Sequence, residues 1–407
     1  MSPTSPWRGR LVALAGIALS AFNLRTAVTA LTPLFDRVSA DLGFGPTVIG
    51  VFGMLPTAAF ALFGVVTPRI VRRIGLERAV LLAMALTAGG SLLRGASADT
   101  ATLLAASATA LAGMGVGNVV LPPLVKRYFP DRIGPLSVVY ISVLQVGTFL
   151  PAFLAVPLSD AFGWPASLAG WAIPAVAATV PWLVLLRRSP VASPPLPGEL
   201  RVPPVAAPPH RPLWRLPLAW GMALMFGMTS LATYTIFTWL PTILVGAGGD
   251  RALGGNMVGL FSLLGMVSAL TMPLLAVRLR RPFWLVAACA AVMALAYLGL
   301  LFSPLRGTML WVLLLGLGPA TFPLSLTLIN LRTRSTAGAA ALSGFTQGVG
   351  YALGCAGPLL FGWLHDLTHG WQLPFAFLGL CLLVLLAGGM LVNRSRQLED
   401  EWDVASR

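Results

Sequence analysis

The sequence predicts an all-α membrane protein of twelve transmembrane helices in two pseudo-symmetric six-helix halves, and three observations carry that prediction. Apolar runs of roughly 20 residues, each long enough to cross a hydrocarbon core as a helix, recur along the whole chain. Charged residues make up 10% of the chain, against about a quarter in an average protein, with 57% hydrophobic residues and a mean hydropathy of +0.84. A basic, proline-dense stretch at 187–216 is too polar to cross and separates the runs six and six.

The runs cover 11–34, 47–67, 78–97, 101–125, 134–157, 166–186, 217–244, 254–277, 283–302, 307–330, 336–363 and 372–392. The first follows "MSPTSPWRGR" and is too long for the apolar region of a cleaved signal peptide, so it is expected to be retained. The expected domains are therefore an N-terminal half at 1–186, a linker at 187–216, a C-terminal half at 217–392 and a tail at 393–407. The linker composition predicts an extended or disordered segment. The halves echo each other weakly. "GMGVGN" at 113–118 is followed by Gln145, Gly147 and Trp164, and "GLGPAT" at 316–321 by Gln347, Gly350 and Trp371. Duplicated halves predict a substrate site near the bilayer midplane.

The net charge of +14 is a topological signal rather than a nucleic-acid footprint. With the N-terminus placed in the cytoplasm, only Arg37, Arg94, Arg251 and Arg306 of the 27 Lys and Arg residues fall in outer loops, and Arg25 alone falls inside a segment. That asymmetry puts both termini in the cytoplasm of a multi-pass protein of the plasma, bacterial inner, membrane. Cys289, Cys355 and Cys381 lie in predicted helices without metal-ligand spacing, so neither a disulfide framework nor a metal site is expected. "GMGVG" lacks the Lys and Ser/Thr of a phosphate loop and reads as close helix contact. Trp164 and Trp371, near outer ends, read as interfacial anchors.

Twelve helices in two sixes, with the loop "PRIVRRIGLERAV" at 68–80 after the second, resemble the major facilitator superfamily and its basic loop motif. The motif departs from the common form at Arg72, where many members place an aspartate three residues before the loop glycine, Gly75. The resemblance implies a gating role for Arg72, Arg73 and Gly75, without the usual acidic contact. "FNLRTAV" at 22–28, "PRIVRRIGLERA" and "GNVVLPPLVKRYFPDR" at 117–132 together resemble the cyanate and 2-nitroimidazole transporter branch. On that resemblance Asn118 is a site or gate residue, with helix packing as its other role.

An ionised side chain at the bilayer centre costs about 2.5–3.5 kcal/mol on insertion scales. Arg25 lies 15 residues from Arg10 and 11 from Asp36, so a continuous helix would put it roughly 16–22 Å from either end. All thirteen Asp and Glu residues fall in loops, segment ends or the tail. The counter-charge is thus expected to arrive as an anionic or electron-rich solute, which a planar, permanently charged guanidinium suits. The alternative is that Arg25 bonds helix carbonyls, amide side chains and water. On a continuous helix Phe22, Thr29 and Thr32 share its face, although the threonines can equally bond their own backbone.

Polar residues recur at helical spacing in three other segments: Ser142, Gln145 and Thr148; Ser230, Tyr234 and Thr238; Ser343, Gln347 and Tyr351. Gln145 and Gln347 each need a partner at that depth, which a solute or another helix could supply. The predicted site is Arg25 with Phe22, Thr29, Asn118, Gln145, Tyr234, Gln347 and Tyr351. The predicted function is secondary transport of a small anionic or polar, cyanate- or nitroimidazole-like solute by alternating access. Protons are a further candidate partner, although the helix cores hold no Asp, Glu, His or Lys, and Asp36, His365, Asp366 and His369 sit near the outer surface. A multidrug exporter of the same fold is the rival reading, and the absence of an acidic wall argues against cationic drugs. A receptor is expected to carry an output domain, and no stretch outside the helices is long and apolar enough to fold as one; an enzyme would need a nucleophile with its base, or a metal cluster, and the sequence shows neither. No enzymatic activity, cofactor or nucleic-acid partner is expected, and a monomer in the lipid bilayer is.

Overall fold

A bilayer offers backbone N–H and C=O groups no water, so each spanning segment must satisfy them internally. The computed structural model describes residues 8–129, 132–188, 212–278, 281–334, 336–393 and 397–403. The linker positions 189–211 and Asp131 fall outside these. The described residues form helices α1 Arg8–Asn23, α2 Thr26–Thr29, α3 Phe35–Leu42, α4 Pro46–Ile74, α5 Leu76–Gly95, α6 Thr100–Tyr128, α7 Ile133–Gly170 and α8 Ala172–Arg188. They continue as α9 Pro217–Gly246, α10 Arg251–Arg278, α11 Phe283–Phe302, α12 Thr308–Leu317, α13 Thr321–Leu331, α14 Thr336–Thr368, α15 Gln372–Val392 and α16 Leu398–Asp403. No strand occurs among them.

These elements group into the twelve expected segments. The first is α1 to α3 with a 3-10 turn at Thr32–Leu34, and the tenth is α12 and α13 joined by a 3-10 turn at Gly318–Ala320. Inside α7, Gly163 has φ 82 and ψ 155, a left-handed conformation that a Cβ disfavours, so the fifth and sixth segments meet there at a kink. Two expected boundaries move. The helix expected to stop at 67 runs on through "PRIVRR" to Ile74, because Pro68 interrupts the ladder without ending it. The eleventh runs to Thr368 instead of 363, which puts His365 and Asp366 in a helical last turn rather than a loop.

The chain divides into two compact units, Met1–Pro190 with Phe237–Leu263, and Val191–Ile236 with Leu264–Arg407. Lipid is as apolar as leucine, so helices associate through small residues and close backbone approach. In the first unit Gly113 of "GMGVG" faces the Ala83 carbonyl so closely that a Cβ would overlap it, and Gly115 and Gly117 do the same against Phe63 and Leu24. Around this seam Ile17, Leu24, Met84, Leu121 and Trp182 are buried together. In the second unit Gly227 of α9 meets Gly350 of α14, and the Phe226 ring stands 5.0 Å from that of Tyr351. The tail also folds back within that unit. Leu398 is fully buried, its N–H donates to the Arg332 carbonyl at 2.8 Å, and Asp400 pairs with Arg334 at 2.8 Å.

Candidate functional site

The first transmembrane segment is broken where the arginine sits. α1 ends at Asn23, Arg25 adopts φ −135 and ψ −7, and α2 begins at Thr26. No proline lies between; side chains of "NLRTAVT" bond the carbonyls on either side of the break. Asn23 Nδ2 donates to the carbonyls of Leu19 at 2.8 Å and Pro174 at 3.0 Å. Thr26 Oγ1 donates to the Asn23 carbonyl at 3.2 Å, and Thr29 Oγ1 to the Arg25 carbonyl at 3.3 Å. Asn and Thr compete with the helix ladder in this way because their short polar side chains reach nearby backbone groups. The break also answers part of the charge problem, since a helix C-terminus carries negative partial charge that favours a cation beside it.

Arg25 Nη1 donates to the Leu24 carbonyl at 2.9 Å and to Asn118 Oδ1 of α6 at 3.2 Å. Its guanidinium carbon lies 4.5 Å from the centre of the Phe60 ring of α4, a cation–π contact. Asn118 Nδ2 donates to the Met114 carbonyl at 3.0 Å, which turns its oxygen toward the arginine. Within the protein, the acceptors of Arg25 are thus a neutral carbonyl and a neutral amide. None of these partners carries a charge, and among the described residues no carboxylate lies within ion-pair distance and neither Nε nor Nη2 has a protein partner. Arg25 stays half-buried.

The other predicted residues fall in different surroundings. The break interrupts the continuous helix on which Phe22, Thr29 and Thr32 were expected to share a face with Arg25, although the Thr29 N–H still donates to the Arg25 carbonyl one turn back. The half-buried Phe22 packs 6.5 Å from Trp171, and Thr29 is buried on its own backbone bond. Gln145 of α7 is half-buried and donates to the Ser262 carbonyl of α10 at 3.4 Å, a partner on another helix. Tyr234, Gln347 and Tyr351 belong to the second unit. Tyr234 is buried there, and Gln347 donates to Ser343 Oγ, one turn back on α14, at 2.8 Å.

In the basic loop Arg72 and Arg73 are exposed, and Gly75 turns the chain between α4 and α5 at φ 83. The carboxylate next to it is Glu77, which accepts from the Tyr128 hydroxyl at 2.9 Å and pairs with Arg127 Nε at 3.4 Å. Burial and the neighbouring Glu77 charge push the Tyr128 phenol up, so it remains a donor.

Two sequence expectations are corrected. Arg94 is no outer-loop charge: it is 2% exposed and sits in the last turn of α5. Trp164 is no anchor in the interface but is buried, donating Nε1 to Asp41 Oδ2 at 2.6 Å. Phe60, Asn23 and Arg94 escaped the sequence prediction. Phe60 is one apolar residue among many, whereas Asn23 could have been found, because a second polar residue two before an intramembrane arginine hints at a helix that does not continue.

The sequence model of the Major Facilitator Superfamily matches residues 17–355. The chain is 32% identical over 393 residues to the 2-nitroimidazole transporter of Escherichia coli (strain K12), covering 96% of this chain and 98% of that one. It is 25% identical over 372 residues to the cyanate transport protein CynX of the same organism, covering 91% and 94%. In structure it resembles a bacterial homolog of the human lysosomal transporter Spinster, in an inward-facing and occupied conformation, with TM-score 0.76, 14% identity and coverage of 96% and 98%. Sequence, helix count and fold thus agree that the chain belongs to the major facilitator superfamily of membrane transporters, in the branch that holds the cyanate and 2-nitroimidazole transporters.

Proposed function

We propose that this transporter moves a small anionic or electron-rich planar solute by alternating access, and that Arg25 is the group that binds it. The observation that carries the reading is the state of Arg25: half-buried, with no carboxylate at ion-pair distance among the described residues, and with Nε and Nη2 unspent. A guanidinium offers a planar fork of donors, and charge-assisted bonds to an anion are about twice as strong as neutral ones. Phe60 beneath the guanidinium and the Asn118 amide beside it hold that fork in one orientation. The names of two relatives point the same way: cyanate is a small linear anion, and a 2-nitroimidazole presents planar nitro oxygens.

The test is uptake into proteoliposomes of a panel of cyanate, nitrate, small carboxylates and nitroimidazoles, with and without a pH gradient. Saturable uptake of at least one anionic or nitro compound, lost in Arg25→Lys although the variant retains its thermal stability, is the expected result. Arg25→Lys keeps the charge and removes the fork. Preference for lipophilic cations, or undiminished uptake by the lysine variant, would overturn the reading.

A further inference from the structure

A second arginine lies buried in the same unit and takes no part in the site described. Arg94 is 2% exposed; its Nε donates to Ser107 Oγ of α6 at 2.9 Å and its Nη1 to the Ala27 carbonyl of α2 at 2.6 Å. Among the described residues no carboxylate lies within ion-pair distance of it. A buried cation is costly unless it is compensated, so its position calls for a physical account.

Ala27 lies two residues beyond Arg25, in the single turn between the break and the 3-10 turn at Thr32–Leu34. A helix ending at Thr29 leaves its last carbonyls without intrahelical partners, and Arg94 meets one of them. Arg94 also lies in the last turn of its own helix, α5, where partial negative charge favours a cation. Two charge-assisted bonds from one rigid fork tie α5 and α6 to the broken segment.

We propose that Arg94 is a positioning residue: it clamps α2, and so fixes where the backbone at the break holds the Arg25 guanidinium. The consequence for solute binding rests on the proposed role of Arg25; the clamp itself does not.

The two parts are tested separately in the full-length protein in nanodiscs. Hydrogen exchange of Arg94→Gln is expected to rise about tenfold or more for amides 24–34 while those of α4 stay within about twofold. In Arg94→Lys, which can reach one acceptor but not both, the rise should be partly reversed. Equal loosening of α4 and the 24–34 segment, or no change in either, would overturn the clamp. For the solute part, cyanate and 2-nitroimidazole uptake by Arg94→Gln should show a raised KM with the maximal rate nearly kept. An unchanged KM alongside accelerated exchange would leave the clamp standing and refute its effect on Arg25. Should the wild type carry neither solute, the exchange arm still decides the clamp, and only the proposed function fails.

Discussion

Asn118 Oδ1 accepts a hydrogen bond from Arg25 Nη1 at 3.2 Å across 93 residues of sequence. A neutral amide there orients the guanidinium without cancelling its charge.

Replacing that amide with a carboxylate should supply the missing counter-charge. Asn118→Asp is nearly isosteric, and the ion pair with Arg25 offsets the lost bond to the Met114 carbonyl, so the fold should survive while the internal ion pair competes with the solute. Affinity for a verified anionic substrate should fall at least tenfold, or about 1.4 kcal/mol, measured by ligand-induced thermal shift. Unaltered affinity would separate Asn118 from the binding group.

Gly147 of α7 packs against the backbone of Phe22 just before the break, where a Cβ would overlap the Phe22 carbonyl oxygen. Backbone cannot swing aside as a side chain can, so Gly147→Ala must push α7 away from α1. Overpacking of this kind costs about 1–3 kcal/mol, and the melting temperature in detergent should drop by several degrees. An alanine variant as stable as the parent would show that the two helices give way freely.

The tail contact offers a comparison of magnitudes. Leu398 is fully buried, whereas the Arg334–Asp400 pair joins side chains that are 64% and 43% exposed. Exposed ion pairs contribute about 0–1 kcal/mol, while truncating a buried leucine costs about 2–5 kcal/mol. Limited proteolysis beyond Val392 should therefore accelerate strongly in Leu398→Ala and little in Arg334→Ala. The opposite order would mean that charge, not burial, docks the tail.

Asp99 caps α6: its carboxylate accepts from the Thr102 N–H at 2.8 Å, and the Thr102 hydroxyl accepts from the Asp99 N–H. The bond from the Thr102 backbone, the largest cause, holds the Asp99 carboxyl below the usual carboxylate range. A depressed folded-state value stabilises the cap above the unfolded pKa of about 3.9 and loses that effect as pH falls through the folded value. Protection of the first-turn amides of α6, measured against their intrinsic exchange rate at each pH, should thus fall below about pH 4 in the wild type, and should be low at every pH in Asp99→Ala. A cap insensitive to both changes would mean that packing alone starts the helix.

How much was legible varied from one residue to the next. The twelve helices were, because crossing a bilayer is a local requirement that hydropathy over about 20 residues reports. Arg25 was, because an uncompensated charge stands out against an apolar run. The glycines of "GMGVG" were, as close-packing positions rather than a ligand loop. The break in the first helix between Phe22 and Thr29 was not, because the acceptor of the Asn23 side chain that helps end α1, the Pro174 carbonyl, lies 151 positions away. Arg94 was misplaced for a related reason: near a segment end the sequence cannot distinguish a charge facing water from one turned inward onto a carbonyl.

The sequence by itself determined how many helices cross, that acids are absent from their cores, and that one arginine has no carboxylate of its own at its depth. Only the tertiary structure decided that the first helix breaks at that arginine, that Asn118 and Phe60 frame it, and that a second buried arginine grips the turn beyond. Hydropathy and charge add up along the chain and can be read in order. A hydrogen bond depends on which segments the fold brings within 3 Å, and no local pattern records that choice.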